Sequence, residues 1–199
     1  MQTTQTTPTT QTTQTGDPDI ALFDQLDIRI GQVLSVVPHP DADSLYIEEI
    51  DVGEASPRTI VSGLRNHVTV NDFIGKYVLV LCNLPSRKMR GTLSNGMVLC
   101  ACESTSSSES KVELLEPTSI CTAGERVVIS GHVTNVSTPL GVLKPKQKVW
   151  ERCQVLLRSA ASPMLPSVMP VACFKGNGLV AAISWASFMP KTLKDYVIE

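Results

Sequence analysis

The sequence predicts a mainly β protein in which a small β-barrel precedes a smaller α+β unit. Apolar residues alternate with a period of two from Leu26 onward. Strand-like runs are short and are separated by Gly, Pro, Asn and Ser, and the periodicity becomes helical after residue 140. No run reaches the roughly 18 uncharged apolar residues that a membrane-spanning helix needs.

The N-terminal segment, residues 1–23, is predicted to be a disordered tail. Its Thr/Gln-rich sequence is of low complexity and cannot bury enough surface to offset the entropy of ordering. Toward its end, residues 18–26 predict a short helical turn with Asp17 as the N-cap. The barrel is then expected at 24–132 and the appended unit at 133–199.

The first strand is predicted in LDIRIGQVLSVV, residues 26–37. One face is expected to carry Ile28, Ile30, Leu34 and Val36, and the other Arg29, Val33 and Val37. Gly31 within the strand predicts a bend or a bulge. In the second strand, SLYIEEIDVG, the apolar parity shifts between Ile47 and Ile50, which predicts a bulge near Glu48–Glu49. Further strands are predicted at 58–63, 75–84, 96–102, 111–116 and 125–131.

The region after residue 140 predicts an amphipathic helix in LKPKQKVWERCQVLLRSA. Pro145 stands at a suitable first helical position, and one helical stripe consists of Val149, Cys153, Leu156 and Ala160. Farther along, VACF and LVAAISW flank KGNG, a pattern typical of a hairpin.

Charge is spread unevenly around a formal net charge of −2. Residues 26–110 carry a net charge of −3 and residues 111–199 a net charge of +4. An anionic partner must therefore be bound by a local patch and not by a general field. The six cysteines show no C-x-x-C spacing and no export signal precedes them, so reduced thiols and a cytoplasmic location are expected.

The stretch HPDADSLY, residues 39–46, could be a metal loop, a catalytic loop or a polar corner. Asp41 and Asp43 have D-x-D spacing, but the remaining ligands of a calcium loop are missing. No nucleophile elbow, P-loop or G-x-G-x-x-G accompanies His39. We interpret the stretch as a rigid corner whose prolines fix φ and whose aspartates accept backbone N–H bonds. The sequence thus predicts no enzyme, no metal site and no cofactor.

Three stretches carry a resemblance to a known family: LDIRIGQV, HPDADSLYIEEIDVGEASPRTIVSGLRNHV and NLPSRKMRGTLSNGMVLCA. Together they resemble the tRNA-binding domain of aminoacyl-tRNA synthetase-associated cofactors of the endothelial monocyte-activating polypeptide type. LKPKQKVWERCQVLL and VACFKGNGL resemble the extra C-terminal domain of that branch. The resemblance implies a five-stranded oligonucleotide-binding (OB) barrel that grips the outer corner of tRNA by shape, without catalysis. It also implies an appended domain that mimics a second subunit, and hence a monomer.

Carried over residue by residue, the resemblance implies the tRNA-binding residues Arg29, Asn66, Arg87, Lys88, Arg90, Ser94 and Met97. Ser94 and Met97 match the family's Ser-x-x-Met. The family usually has a Lys before a Pro in the basic loop, whereas here Pro85 comes first, with Arg87 as the substitute for that charge. By composition alone, the cations of this loop form either a phosphate site or a solvated corner.

The leading hypothesis is a module that delivers or retains tRNA for an aminoacyl-tRNA synthetase, with methionyl- and tyrosyl-tRNA synthetase as the partners that the resemblance implies. Only three aromatic residues lie between 26 and 131, too few for stacking along a single strand, which favours a folded RNA. The alternatives are a scaffold subunit of a multi-synthetase complex and a cytokine-like released domain. For the last, RIGQVLS (29–35) matches the segment linked to that activity.

Overall fold

The computed structural model describes residues 18–102, 111–117, 121–129, 141–155 and 157–160, and four short strands beyond them. In this part of the chain the fold is mainly β, as predicted. Up to residue 102 the elements are α1 (Pro18–Phe23), β1 (Ile28–Pro38), β2 (Tyr46–Asp51), β3 (Arg58–Ser62), α2 (Val70–Phe73), β4 (Tyr77–Leu81), β5 (Arg87–Met89), β6 (Thr92–Ser94) and β7 (Met97–Cys102). They are followed by β8 (Val112–Leu114), β9 (Glu116–Pro117), β10 (Val128–Ile129), a 3-10 turn (Pro145–Gln147), α3 (Val149–Gln154), β11 (Leu157–Ala160), β12 (Val171–Phe174), β13 (Ala181–Ala182), β14 (Phe188–Met189) and β15 (Val197–Ile198).

The central sheet has the antiparallel order β3-β2-β1-β4-β7, and β15, β11 and β12 extend it beyond β7. On the other side, the backbone N–H of Asn95 donates to the carbonyl of Thr59 at 2.9 Å, so β3 lies beside the turn that leads into β7. No ladder between β3 and β7 occurs among the described pairings. A mainly β fold is therefore confirmed, while the closed five-stranded barrel stays a prediction.

Apolar side chains form two clusters, one on each face of the sheet. Alternation along β4 sends Val78 and Val80 to one cluster and Leu79 and Leu81 to the other. The first face also buries Phe73 of α2. The second face is covered by two helices, which contribute Leu22, Phe23, Val149 and Cys153.

Helix α1 belongs to the folded part of the chain. The predicted turn at 18–26 is confirmed as α1, and its Leu22 and Phe23 are buried. Burying one such side chain contributes about 2 kcal/mol before its ordering entropy is subtracted. The predicted disordered tail, residues 1–23, is therefore too long, because residues 18–23 form α1. Residues 1–17 lie outside the described part of the chain.

Strand β1 departs from the predicted alternation after Gly31. The register with β2 shifts between Val33 and Ser35, so Leu34 is skipped and is 45% exposed instead of sharing the face of Ile30. The register is regular at Gly31 itself. A Cβ at Gly31 would lie 2.6 Å from Ile50 Cγ2, so glycine is needed there for close packing and not for a bulge.

The predicted bulge in β2 is wrong. The register between β2 and β3 is continuous, and Tyr46, Glu48 and Ile50 point to the same buried face. Glu48 is fully buried, and the hydroxyl of Ser62 donates to its Oε1. Burial raises the pKa of Glu48 to about 8, against the opposing effect of the Ser62 hydrogen bond. The change in apolar parity thus reflects a buried carboxyl group and not an inserted residue.

The appended region is only partly as predicted. Pro145 begins a 3-10 turn, Lys148 adopts a left-handed φ of 48°, and α3 ends at Gln154, so the predicted helix is shorter and Ala160 lies in β11. Strand β12 pairs with β11 and β13 pairs with β10, which differs from the predicted hairpin. Leu156 and the boundary predicted near residue 133 lie outside the described residues. Within the described helices, none has both the length and the apolar character required to cross a membrane.

Candidate nucleic-acid interface

The predicted basic loop folds as a β-hairpin. β5 pairs with β6 in a register that sets Arg87 opposite Ser94 and Met89 opposite Thr92. The connecting residues Arg90 and Gly91 have φ values of +46° and +98°, as in a two-residue type I′ turn. An arginine in this region costs about 1 kcal/mol, which surrounding contacts must offset. The hairpin therefore presents three exposed cations in a defined geometry: Arg87, Lys88 and Arg90.

The base of the hairpin is fixed by Ser94. Its side chain is buried, with only 4% of the residue exposed. Its hydroxyl accepts from the N–H of Val61 at 3.0 Å and donates to the carbonyl of Gly96 at 3.1 Å. Ser94 thus attaches the hairpin to β3, and its hydrogen bonds within the protein make it a positioning residue.

Arg58 clamps the same segment and was missed by the sequence reasoning. Its Nη1 donates to the carbonyl of Cys82 at 2.5 Å and to that of Asn95 at 2.8 Å, one residue on each side of the hairpin. Glu54 accepts from its Nε and Nη2 at 2.8 and 2.7 Å. This hydrogen bond with Arg58 is the main cause that lowers the pKa of Glu54. No sequence pattern indicates this role of Arg58, because the two residues that supply the carbonyls lie far from it along the chain.

Arg29 is held by ion pairs within the protein. Its guanidinium forms a bidentate pair with Asp27 at 2.7 and 2.9 Å and a longer one with Glu54 at 3.3 Å. Only 19% of its side chain is exposed. The hydrogen bond with Asp27 is the main cause that raises the pKa of Arg29. Its charge is thus compensated within the protein, which does not favour its predicted phosphate contact.

Asn83 brings the appended region next to the hairpin. Its buried amide accepts from the N–H of Asp27 at 3.0 Å and donates to the carbonyl of Gly141 at 3.3 Å. Its backbone carbonyl accepts from the N–H of Leu143 at 2.8 Å. The segment that follows carries three exposed cations that the site prediction did not include: Lys144, Lys146 and Lys148.

The HPDADSLY loop contacts the tip of the hairpin through His39, which is 3% exposed. Its Nδ1 accepts from the N–H of Asp41 at 3.1 Å, so the neutral ring carries its proton on Nε2, 3.3 Å from the hydroxyl of Thr92. Among the described residues, no group of three or more His, Cys, Asp and Glu side chains could hold a metal ion. The structure gives this loop a bracing role.

The predicted residues fall around two concave surfaces. A cleft of about 780 Å³ is lined by Arg87, Ser94 and Met97. A groove of about 680 Å³ beside the HPDADSLY loop is lined by Asn66 and Arg90. Lys88 is exposed on the hairpin strand that joins these two regions. Six of the seven predicted residues are therefore on or beside the hairpin, whereas Arg29 lines neither the cleft nor the groove.

The model of the family described as a putative tRNA binding domain matches residues 28–126. The chain is 51% identical over 133 residues, 67% of its length, to the cytoplasmic tyrosine–tRNA ligase of Xenopus laevis, of which it covers 24%. It is 44% identical over 153 residues, 77% of its length, to aminoacyl tRNA synthase complex-interacting multifunctional protein 1 of Cricetulus griseus, of which it covers 38%. The chain thus spans only 24% and 38% of the length of these two relatives.

Among solved structures, the C-terminal domain of Plasmodium vivax p43 matches with a TM-score of 0.72 at 31% identity. The match covers 89% of this chain and 98% of that domain, so the likeness extends beyond residues 28–126 into the appended region. The chain therefore belongs to the tRNA-binding domain family.

Proposed function

We propose that this chain binds folded tRNA with the surface formed by the β5–β6 hairpin and the lysines of residues 144–148. The observation that carries the proposal is the rigid presentation of Arg87, Lys88 and Arg90, which the Ser94, Arg58 and His39 contacts hold in place. The chain has a formal net charge of −2, so attraction to phosphates depends on this local cluster.

The burial of the aromatic residues favours recognition of the RNA by its backbone and its shape. Tyr46 and Phe73 are buried in the core, and the hydroxyl of Tyr46 donates to the carbonyl of Val68 at 3.1 Å. Tyr77 packs against the apolar cluster that α1 and α3 cover. A run of exposed rings for successive bases is therefore missing from the described part of the sheet, which favours a folded RNA over a single strand.

We infer that the biological task is to deliver or retain tRNA for an aminoacyl-tRNA synthetase, with no chemistry at this site. The names of the relatives support tyrosyl-tRNA synthetase as a partner and the cytoplasm as the compartment. Similarity to a methionine–tRNA ligase supports methionyl-tRNA synthetase as a further partner. The relative from Cricetulus griseus is named for its interaction with a synthetase complex, which favours scaffolding as the second candidate function. The cytokine-like role stays a prediction.

The chain is also proposed to be a monomer. Helices α1 and α3 cover the second face of the sheet with Leu22, Phe23, Val149 and Cys153, so this face is already occupied. The appended region then takes the place of a second subunit. Sedimentation equilibrium should give the mass of one chain at micromolar concentrations, and a stable dimer would remove this part of the proposal.

Competition binding tests the proposed function. Fluorescence anisotropy with labelled tRNA would be competed with unlabelled tRNA, with an unstructured RNA of equal length and with duplex DNA of equal charge. Folded tRNA should compete at the lowest concentration, because shape and phosphate geometry are recognised together. Equal or better competition by the unstructured RNA would contradict the proposal.

A further inference from the structure

The cleft beside the hairpin joins two parts of the chain that are distant in sequence. Arg87 and Met89 of β5 line it, and so do Pro145 and Trp150 of the appended region. Met97, at the start of β7, also lines it. Its volume of about 780 Å³ lies within the usual range of ligand-binding clefts.

The apolar side chains of this cleft are held in place by the core. Leu84, Met97 and Trp150 are each half-buried and pack against the cluster that α1 and α3 cover. An indole and a thioether fixed in this way offer a flat, polarizable surface, which suits the face of a nucleobase. Hydrogen-bonding side chains, among them His67 and Ser86, line the same space.

The charged residues around the cleft favour an anionic ligand. Arg87 lines the cleft on one side, and exposed Lys144 and Lys146 flank Pro145 on the other. The described residues that line it include no Asp and no Glu. The groove at the hairpin tip differs, since Asp41 and Asp43 line it. A ligand with an apolar face and a phosphate matches the cleft better than a neutral or cationic one.

We propose that this cleft takes one unstacked nucleotide of the bound tRNA. Its base packs against Trp150 and Met97, and its phosphate is neutralised by Arg87 together with Lys144 or Lys146. This inference rests on the proposed function and adds a specific contact to it. Folded tRNA would thus be recognised by shape on the hairpin and by one exposed base in the cleft.

Tryptophan fluorescence tests the contact in the full chain. The sequence holds two tryptophans, Trp150 and Trp185, so Trp185→Phe leaves Trp150 as the reporter. Titration with tRNA should quench this emission saturably, because base stacking quenches an indole, while a fully paired RNA duplex should not. Saturable tRNA binding by anisotropy without any change in Trp150 emission would overturn the inference and leave the proposed function intact.

Affinity measurements supply an independent readout. Trp150→Ala should weaken tRNA binding by roughly 5- to 100-fold, the range for loss of one base–aromatic stack, with the dependence of log affinity on log salt unchanged. Trp150→Phe should recover part of the loss, and the control Val155→Ala, an exposed apolar position just past α3, should bind as the parent does. Parental affinity of a folded Trp150→Ala variant would overturn the inference. Absence of tRNA binding by the parent would remove both proposals.

Discussion

The Nε2 of His39 lies 3.3 Å from the hydroxyl of Thr92, which joins the HPDADSLY loop to the tip of the basic hairpin. The other ring nitrogen accepts from the N–H of Asp41, so one buried imidazole connects two surface loops. The HPDADSLY loop thus braces the hairpin next to its turn.

Removal of this brace should loosen the hairpin without removing a phosphate contact. Thr92→Val deletes the hydroxyl and should lower tRNA affinity a few-fold, in line with the roughly 1 kcal/mol of one hydrogen bond. The salt dependence of binding should not change, since no cation is lost. Thr92→Ser keeps the hydroxyl and should bind as the parent does. If Thr92→Val binds with parental affinity, His39 does not position the hairpin.

Glu48 should make the fold less stable as the pH rises. Burial raises the pKa of its carboxyl group to about 8, above the ordinary value of 4.5 that applies in the unfolded chain. Between these values the folded state binds a proton that the unfolded state has released, so stability falls from about pH 4.5 to about pH 8 and then levels off. The free energy of unfolding should change by a few kcal/mol over this range.

Glu48→Gln isolates this contribution, because it keeps an acceptor for Ser62 and removes the titration. Urea denaturation at several pH values should show a flatter pH dependence for Glu48→Gln than for the parent. Glu49→Gln controls for the loss of a carboxylate from the same strand, on the opposite face. If the free energy of unfolding changes with pH in the same way for the parent and Glu48→Gln, Glu48 is charged in the folded protein between about pH 4.5 and pH 8.

Arg58 should be irreplaceable by lysine. The guanidinium contacts two carbonyls and one carboxylate at once, a geometry that a single ammonium group cannot reproduce. Arg58→Lys should destabilise the protein by about 1–3 kcal/mol. It should also weaken tRNA binding with an unchanged salt dependence, because Arg58 acts by positioning residues 82–95. Thermal unfolding and anisotropy would measure the two effects, and a fully stable Arg58→Lys variant would rule out the clamp.

The sequence predicted the strand pattern far better than the contacts that connect the strands to the candidate site. Period-two alternation located β1 to β4 and β7, because burial on one face constrains residue type. Leu34 and Glu48 broke the alternation for different reasons, a bulge in the first case and a buried carboxyl in the second, which periodicity cannot distinguish.

Long-range contacts explain the remaining differences at the site. The cations of the hairpin were identified from the resemblance, whereas Arg58 and Asn83 were not, since their partners lie far along the chain. The lysines at 144–148 were missed for the same reason. Only the tertiary contacts of Asn83 with Gly141 and Leu143 place that segment beside the hairpin.

The salt dependence of tRNA binding shows whether the cations of the hairpin contact phosphates. Lys88→Ala combined with Arg90→Ala should weaken binding to all tRNAs by a similar factor and flatten the plot of log affinity against log salt by up to about two units. The control pair Lys76→Ala and Lys111→Ala removes the same charge from positions outside the hairpin that pair with Glu116 and Glu113. This control should keep the parental slope, because neither lysine belongs to the hairpin. If the hairpin variant keeps the parental affinity and slope, or if both variants change them equally, the hairpin is not the tRNA-binding surface.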